Sequence, residues 1–198
     1  IDRVQNLLRE LIDHCRGMNL PLIQFSGEAH SGHSVSVEGG SAVRSFIRYT
    51  ASSGRKDFLM TEHRDRFDSA AYKREAFLAA VKETGVRSEI VSLPSADEIP
   101  DALTAALRSK RYDAVFGSND TIAMRAAGVL AALGVPSSEY TLIGYDNSPE
   151  ANAFRPLFST VDVPLEEIGE LLVKGAASVA EDPKRIYSVT VKARPVIR

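Results

Sequence analysis

Short apolar runs alternate with stretches of helical period along the whole chain, and this alternation limits the fold more than any other feature. Runs at 22–25, 35–37, 57–60, 89–91, 113–116, 141–145, 159–161 and 187–192 have strand length and are bounded by turn-forming residues. Between them, apolar residues recur at helical spacing over 4–15, 41–49, 70–83, 97–107, 121–133 and 165–180. Gly17 is expected to close the first helix in a left-handed cap, and Gly54, Gly85 and Gly134 stand where later helices should stop. Sequential parallel strands need a crossover, and a helix after nearly every strand supplies one. The spacing therefore predicts an α/β fold of doubly wound, mainly parallel sheets with helices on both faces.

Charge narrows the function. With 24 Lys+Arg against 26 Asp+Glu, a net charge of −2 does not fit a nucleic-acid binder held by surplus cations. Cys15, the single cysteine, can form no internal disulfide and no Cys-rich zinc site, which suits a reducing cytoplasm. No stretch approaches the roughly 20 apolar residues needed to cross a bilayer. The amphipathic start, Ile1-Asp2-Arg3-Val4, is not a signal peptide and has no initiator Met, so the chain reads as part of something longer. Its Pro- and Gly-containing loops are too short to link independent domains.

In an open parallel sheet, ligands gather beyond the carboxyl ends of the strands, where loops converge and helix N-termini point. Here those loops hold Glu38-Gly39-Gly40, 61–69 with Tyr72 and Lys73 just beyond, Gly117-Ser118-Asn119-Asp120, and Asp146-Asn147-Ser148. Carboxylates, amides and hydroxyls of this kind suit polyhydroxylated or amide-bearing ligands. Asp120 reads more simply as a helix cap or first-turn acid, Asn119 fits either a cap or a ligand contact, and Asp146 either a turn cap or a ligand contact.

Catalytic signatures are weaker. His30 and His33 have a two-ligand spacing but no third partner, so no metal is expected. There is no nucleophile elbow, phosphate loop or dinucleotide fingerprint, and Gly39-Gly40 reads as a turn. Arg108, Lys110 and Arg111 read as a solvated helix end. The expectation is a binding protein without cofactor, not an enzyme.

The stretch Tyr112-Asp113-Ala114-Val115-Phe116-Gly117-Ser118-Asn119-Asp120 resembles the "D-A-(I/V)-F-x-x-N-D" segment of the LacI/GalR family of transcriptional regulators. Leu142-Ile143-Gly144-Tyr145-Asp146-Asn147 resembles its "V-G-(F/Y)-D-(D/N)" turn, Arg155-Pro156-Leu157-Phe158-Ser159-Thr160-Val161 its "P-P-L-T-T-V", and Gly54-Arg55-Lys56-Asp57-Phe58-Leu59 its "G-H-R-R-I-A". Pro164-Leu165-Glu166-Glu167-Ile168-Gly169 is similar to the helix start that follows.

The resemblance implies a periplasmic-binding-protein-like type I fold, in which a small-molecule effector closes a cleft between two lobes. It implies a complete C-terminal lobe from 38–160 and 187–198, and a partial N-terminal lobe from 1–37 and 161–186. It implies effector contacts at Asp146 and Asn119, at Lys73 where the family carries arginine, and at the polar positions that fall here on Phe67 and Ser69. Lysine keeps the charge but loses the planar fork. Phe154 falls on a subunit-contact position, implying a homodimer, with a place in the lobe core as its other reading. DNA would be reached through a helix-turn-helix head that this chain does not contain. A sensor module attached to another signalling output is the alternative.

Overall fold

The computed structural model describes residues 2–18, 20, 22–26, 32–63, 68–93, 99–182 and 184–198. They divide into two compact units, Ile1–Glu38 with Pro164–Lys192, and Gly39–Val163 with Ala193–Arg198.

The first unit contains helix α1 (Asp2–Gly17), strands β1 (Gln24–Ser26) and β2 (Ser34–Glu38), and, after the second unit, α7 (Leu165–Glu181) and β8 (Ser188–Lys192). Its three strands are parallel in the order β1-β2-β8. Ser34 and Ser36 are buried in the central strand, and hydroxyl pairs with Ser188 (3.3 Å) and Thr190 (2.9 Å) satisfy them. Two expectations are corrected here. Helix α1 runs through Gly17, which does not take positive φ. The closing strand, expected with the second unit as part of 187–198, pairs along its length with β2, so the passage between units falls at 192–193.

The second unit carries the larger core. Its elements are α2 (Gly40–Ser52), β3 (Asp57–His63), α3 (Asp68–Thr84), β4 (Arg87–Leu93), α4 (Ile99–Ser109), β5 (Ala114–Gly117), α5 (Asp120–Ala132), β6 (Thr141–Ile143), α6 (Pro149–Ala153), β7 (Thr160–Asp162) and β9 (Arg194–Val196). Gly54, Gly85 and Gly134 all have positive φ just beyond their helices, the conformation that lets the chain turn away.

Four strands form a parallel sheet in the order β4-β3-β5-β6. Alternation along the strands feeds both faces. Leu59 and Val115 pack with Leu103, Leu107 and Ile122 from α4 and α5. On the opposite face Phe116 stacks on Phe77 of α3, with ring centres 6.2 Å apart. After β3 the chain adds β4 on one side and then β5 on the other, so the order reverses beside β3. The carboxyl ends of β3 and β5 thus flank a topological switch point, the usual ligand position in such sheets.

Sequence spacing did not indicate β9, which pairs antiparallel with β7, or the short helix α6. Helix α6 begins with Pro149 after Ser148, whose hydroxyl accepts the Ala151 N–H at 3.2 Å.

Candidate ligand site at the carboxyl ends of the second sheet

The turn after β6 is the most constrained segment of the second unit. Asp146 and Asn147 have φ of 109° and 55°, a region that residues with a Cβ seldom occupy. Such strain persists only where surrounding bonds over-determine the backbone, and here Asp120 provides them. Its own N–H donates to the Tyr145 carbonyl at 2.8 Å. Its carboxylate accepts the Ser148 N–H at 2.7 Å and the Thr160 hydroxyl at 2.6 Å. A Cβ on Gly144 would overlap that carboxylate and come within 2.7 Å of the Phe158 ring, so the approach requires glycine. Asp120 therefore grips both ends of the turn while almost fully buried.

One residue earlier, Asn119 is the N-cap of α5, its side-chain oxygen accepting the Ile122 N–H at 2.8 Å. The cap thus falls on Asn119, and Asp120 lies inside the helix as the first-turn acid. The Asn119 oxygen expected to reach a ligand is committed to that cap.

Lys73 is buried on α3. Its ammonium donates to the Ser118 carbonyl at 2.9 Å and lies 3.7 Å from the centre of the Tyr145 ring. Loss of hydration pushes its pKa down to about 8, and the attraction of Asp146 and Asp120 opposes this. The Tyr145 hydroxyl shares a hydrogen bond with that of Tyr72 at 2.8 Å.

Asp146 itself is exposed, and its N–H donates to the Val161 carbonyl at 2.9 Å. Protein around its carboxyl removes enough hydration to push the pKa up to about 6, and the Lys73 charge pulls the other way. A partly desolvated carboxylate that feels the charge of a covered ammonium is equipped to accept hydrogen bonds from ligand hydroxyl or N–H groups.

Residues 47–198 match the periplasmic binding protein-like domain family. The chain belongs to that family. In this family member, curated relatives include the HTH-type transcriptional repressors PurR of Yersinia pestis bv. Antiqua (strain Antiqua) and Yersinia pseudotuberculosis serotype O:1b (strain IP 31758). Each is 25% identical over 205 residues, covering 94% of this chain and 60% of the relative. The chain thus spans about 60% of the length of these relatives. Among solved structures, it is similar to a LacI family transcriptional regulator from Enterococcus faecium with bound ribose (TM-score 0.84, 18% identity, 94% of this chain and 72% of that one). It is also similar to a regulatory protein of the LacI family from Chloroflexus aggregans (TM-score 0.83, 17% identity, all of this chain and 80% of that one). The fold expected from the motifs, periplasmic-binding-protein-like with parallel sheets, is the fold this family shares.

Of the residues the motif resemblance assigns to an effector, Asp146, Asn119 and Lys73 lie in segments at the carboxyl ends of the second sheet. Asp146 is exposed there. Lys73 is covered by Tyr145, because it sits one helical turn before the buried Phe77 and shares its inward face. Phe67 lies outside the described residues, as does the side chain of Ser69 in the first turn of α3. Phe154 packs edge-to-face on Phe158, 5.8 Å between ring centres, at the rim of a hollow of about 340 Å³ that Leu157 and Tyr140 also line.

His33 accepts the Tyr187 N–H through Nδ1 at 3.2 Å, and His30 lies outside the described residues. No group of three metal-ligating side chains occurs among the described residues. None of the described helices is long and apolar enough to cross a membrane. Arg108, Lys110 and Arg111 are exposed at the end of α4, as expected of a solvated helix end, and Lys110 and Arg111 also form surface ion pairs with Asp57 (3.1 Å) and Glu139 (2.6 Å).

Sequence reasoning missed two residues. Tyr145 reads as part of a strand, and only the three-dimensional packing makes it the cover over Lys73. Glu62, near the carboxyl end of β3, is buried with one oxygen bound by Arg74 and by Ser92 (3.2 Å), and no partner for the other among the described residues.

Proposed function

We propose that this chain is the effector-sensing part of a LacI/GalR-type transcriptional regulator, and that Asp146 is its principal ligand contact in the second unit. The single observation that carries the reading is the Asp146 turn. A strained backbone, clamped by the buried Asp120, holds an exposed carboxylate at the switch end of a parallel sheet. The described geometry arranges acceptors and donors for holding a small molecule, and the action proposed is binding rather than turnover.

The ligand class that fits is a small polyol or related ring compound. Its adjacent hydroxyls would bond to Asp146, as paired donors do to a carboxylate. Similar structures of LacI-family proteins hold ribose and D-xylulofuranose, which agrees with this class. Effector binding would favour one arrangement of the two units and so bias DNA binding by a head outside this chain. Such a switch requires different affinity for the two arrangements. Its site of action would be the cytoplasm. A homodimer would form through the face bearing Phe154, where Leu157 is 46% exposed.

The test is a thermal-shift screen of D-ribose, D-xylulose, lactose and their phosphates. A true effector at about 100 times its Kd adds about 2.7 kcal/mol of stability. Asp146→Ala should abolish the shift while changing the stability of the free protein by less than about 1 kcal/mol. Retention of the shift in that variant would remove Asp146 from the site.

A further inference from the structure

The three residues of the turn at 145–147 each contact a segment near a place where the chain enters or leaves the second unit, Tyr145 and Asp146 at its backbone and Asn147 at its side chains. Those places are Gly39, Val163 and Ala193. Tyr145 holds the first. Its hydroxyl oxygen fills the space beside the Gly39 α-carbon so closely that a Cβ there would overlap it, and the Tyr72 ring, 3.2 Å from the same point, closes the gap. Asp146 holds the second through its N–H to the Val161 carbonyl. Asn147 holds the second and the third. Its amide donates to the Asp162 carboxylate at 2.8 Å, and its side-chain oxygen accepts from Arg198 at 2.7 Å. Asp162 is in turn the register partner of Arg194, the second residue of the returning segment.

We propose that the Tyr145–Asp146–Asn147 turn is a positioning latch that fixes the path of all three linking segments at once. Two consecutive non-glycine residues at positive φ leave the turn few other backbone shapes. A displacement of Asp146 therefore cannot be absorbed locally, and it passes to Gly39, Val161 and Asp162, and Arg198 through contacts already made. The use of this latch in regulation rests on the effector reading above, whereas the latch itself does not. Tyr145 serves the first segment and Asn147 the second and third, so the effect of each of these substitutions should be regional.

Amide hydrogen exchange on the full chain tests this. Asn147→Ala should speed exchange at least tenfold at 160–163 and 193–198, and Tyr145→Phe should do so at 39–42, while the interior of α5 keeps its rate. Unchanged exchange in the linking segments, or an equal rise throughout α5, overturns the proposal. A second arm uses the close approach. Gly39 has φ −110°, which alanine also adopts, so Gly39→Ala is penalised mainly by its collision with the Tyr145 hydroxyl, the Tyr145 and Tyr72 ring carbons at 3.0 and 3.2 Å adding less. Gly39→Ala should lower the melting temperature, and adding Tyr145→Phe should restore at least half of the loss. No restoration overturns the contact. A sugar screen without binding would defeat the effector reading and leave the exchange pattern intact, so the two failures are distinguishable.

Discussion

The Lys73 ammonium lies 3.7 Å from the centre of the Tyr145 ring, so the residue just before Asp146 in sequence covers the one described cation that Asp146 attracts. A buried ammonium under an aromatic face keeps its charge only at a cost, because water is lost and the ring together with one carbonyl replaces only part of it.

That cost sets a pH dependence. The Lys73 pKa falls from 10.5 to about 8 on folding. A depressed pKa means that its contribution is fully present above 10.5 and is lost as pH falls through about 8. At full strength the effect is about 3 kcal/mol. Measured by urea denaturation, wild type should gain stability relative to Lys73→Met as pH rises from 8 to 10. A constant difference between the two proteins over that interval would contradict the burial of a charged Lys73.

Asp120 is predicted to matter more for stability than a surface carboxylate does. Asp120→Ala leaves the Ser148 N–H and the Thr160 hydroxyl without their acceptor. Unsatisfied buried groups of this kind cost roughly 1–3 kcal/mol each. A loss of about 3 kcal/mol in the unfolding free energy is expected, and a loss below about 1 kcal/mol would show that the turn holds itself.

The opposite substitution tests the same contact by crowding. Gly144→Ala places a methyl group against the Asp120 carboxylate and the Phe158 ring. Overpacking of this kind costs about 1–3 kcal/mol, and Gly144→Ala in an Asp120→Ala background should cost less than it does alone. Strict additivity of the two losses would mean that the residues do not meet.

The sheet was legible where local pattern and tertiary role agree. The runs at 57–60 and 113–116 are apolar on both faces because helices cover both faces, and they appear as β3 and β5. Glycine marked the ends of α2, α3 and α5 because only a residue without a Cβ turns there cheaply. The edges were less legible. Strand β9 contains Pro195, weak strand material, and forms because β7 from far upstream in the chain offers it a ladder. At the site, the motif indicated Asp146, but it could not say which of Asn119 and Asp120 was the cap. One residue of register decides that, and the register is set by the helix start. The burial of Lys73 had a signal that went unused, namely its four-residue offset from Phe77 on an inward helix face.

The core makes a simpler prediction. Phe77 is fully buried and stacked on Phe116 across the α3 face of the sheet. Phe77→Ala should cost about 3–5 kcal/mol in chemical denaturation. A cost under about 1.5 kcal/mol would mean that the two rings do not carry that face.

Asp146 is the ionisable ligand contact of the proposed site, and calorimetric titration across pH reads this directly. Its pKa is raised from 3.8 to about 6, so in the free protein the stabilising contribution is present below 3.8 and is lost as pH rises through about 6. Bonds from ligand hydroxyls to the ionised carboxylate are stronger than to the neutral acid. For whichever sugar of the screen binds, affinity should fall as pH drops from 7 to 5 and should fall more than about tenfold at pH 7 in Asp146→Asn, which also flattens the profile. An affinity that is independent of pH and unchanged in Asp146→Asn would contradict the account.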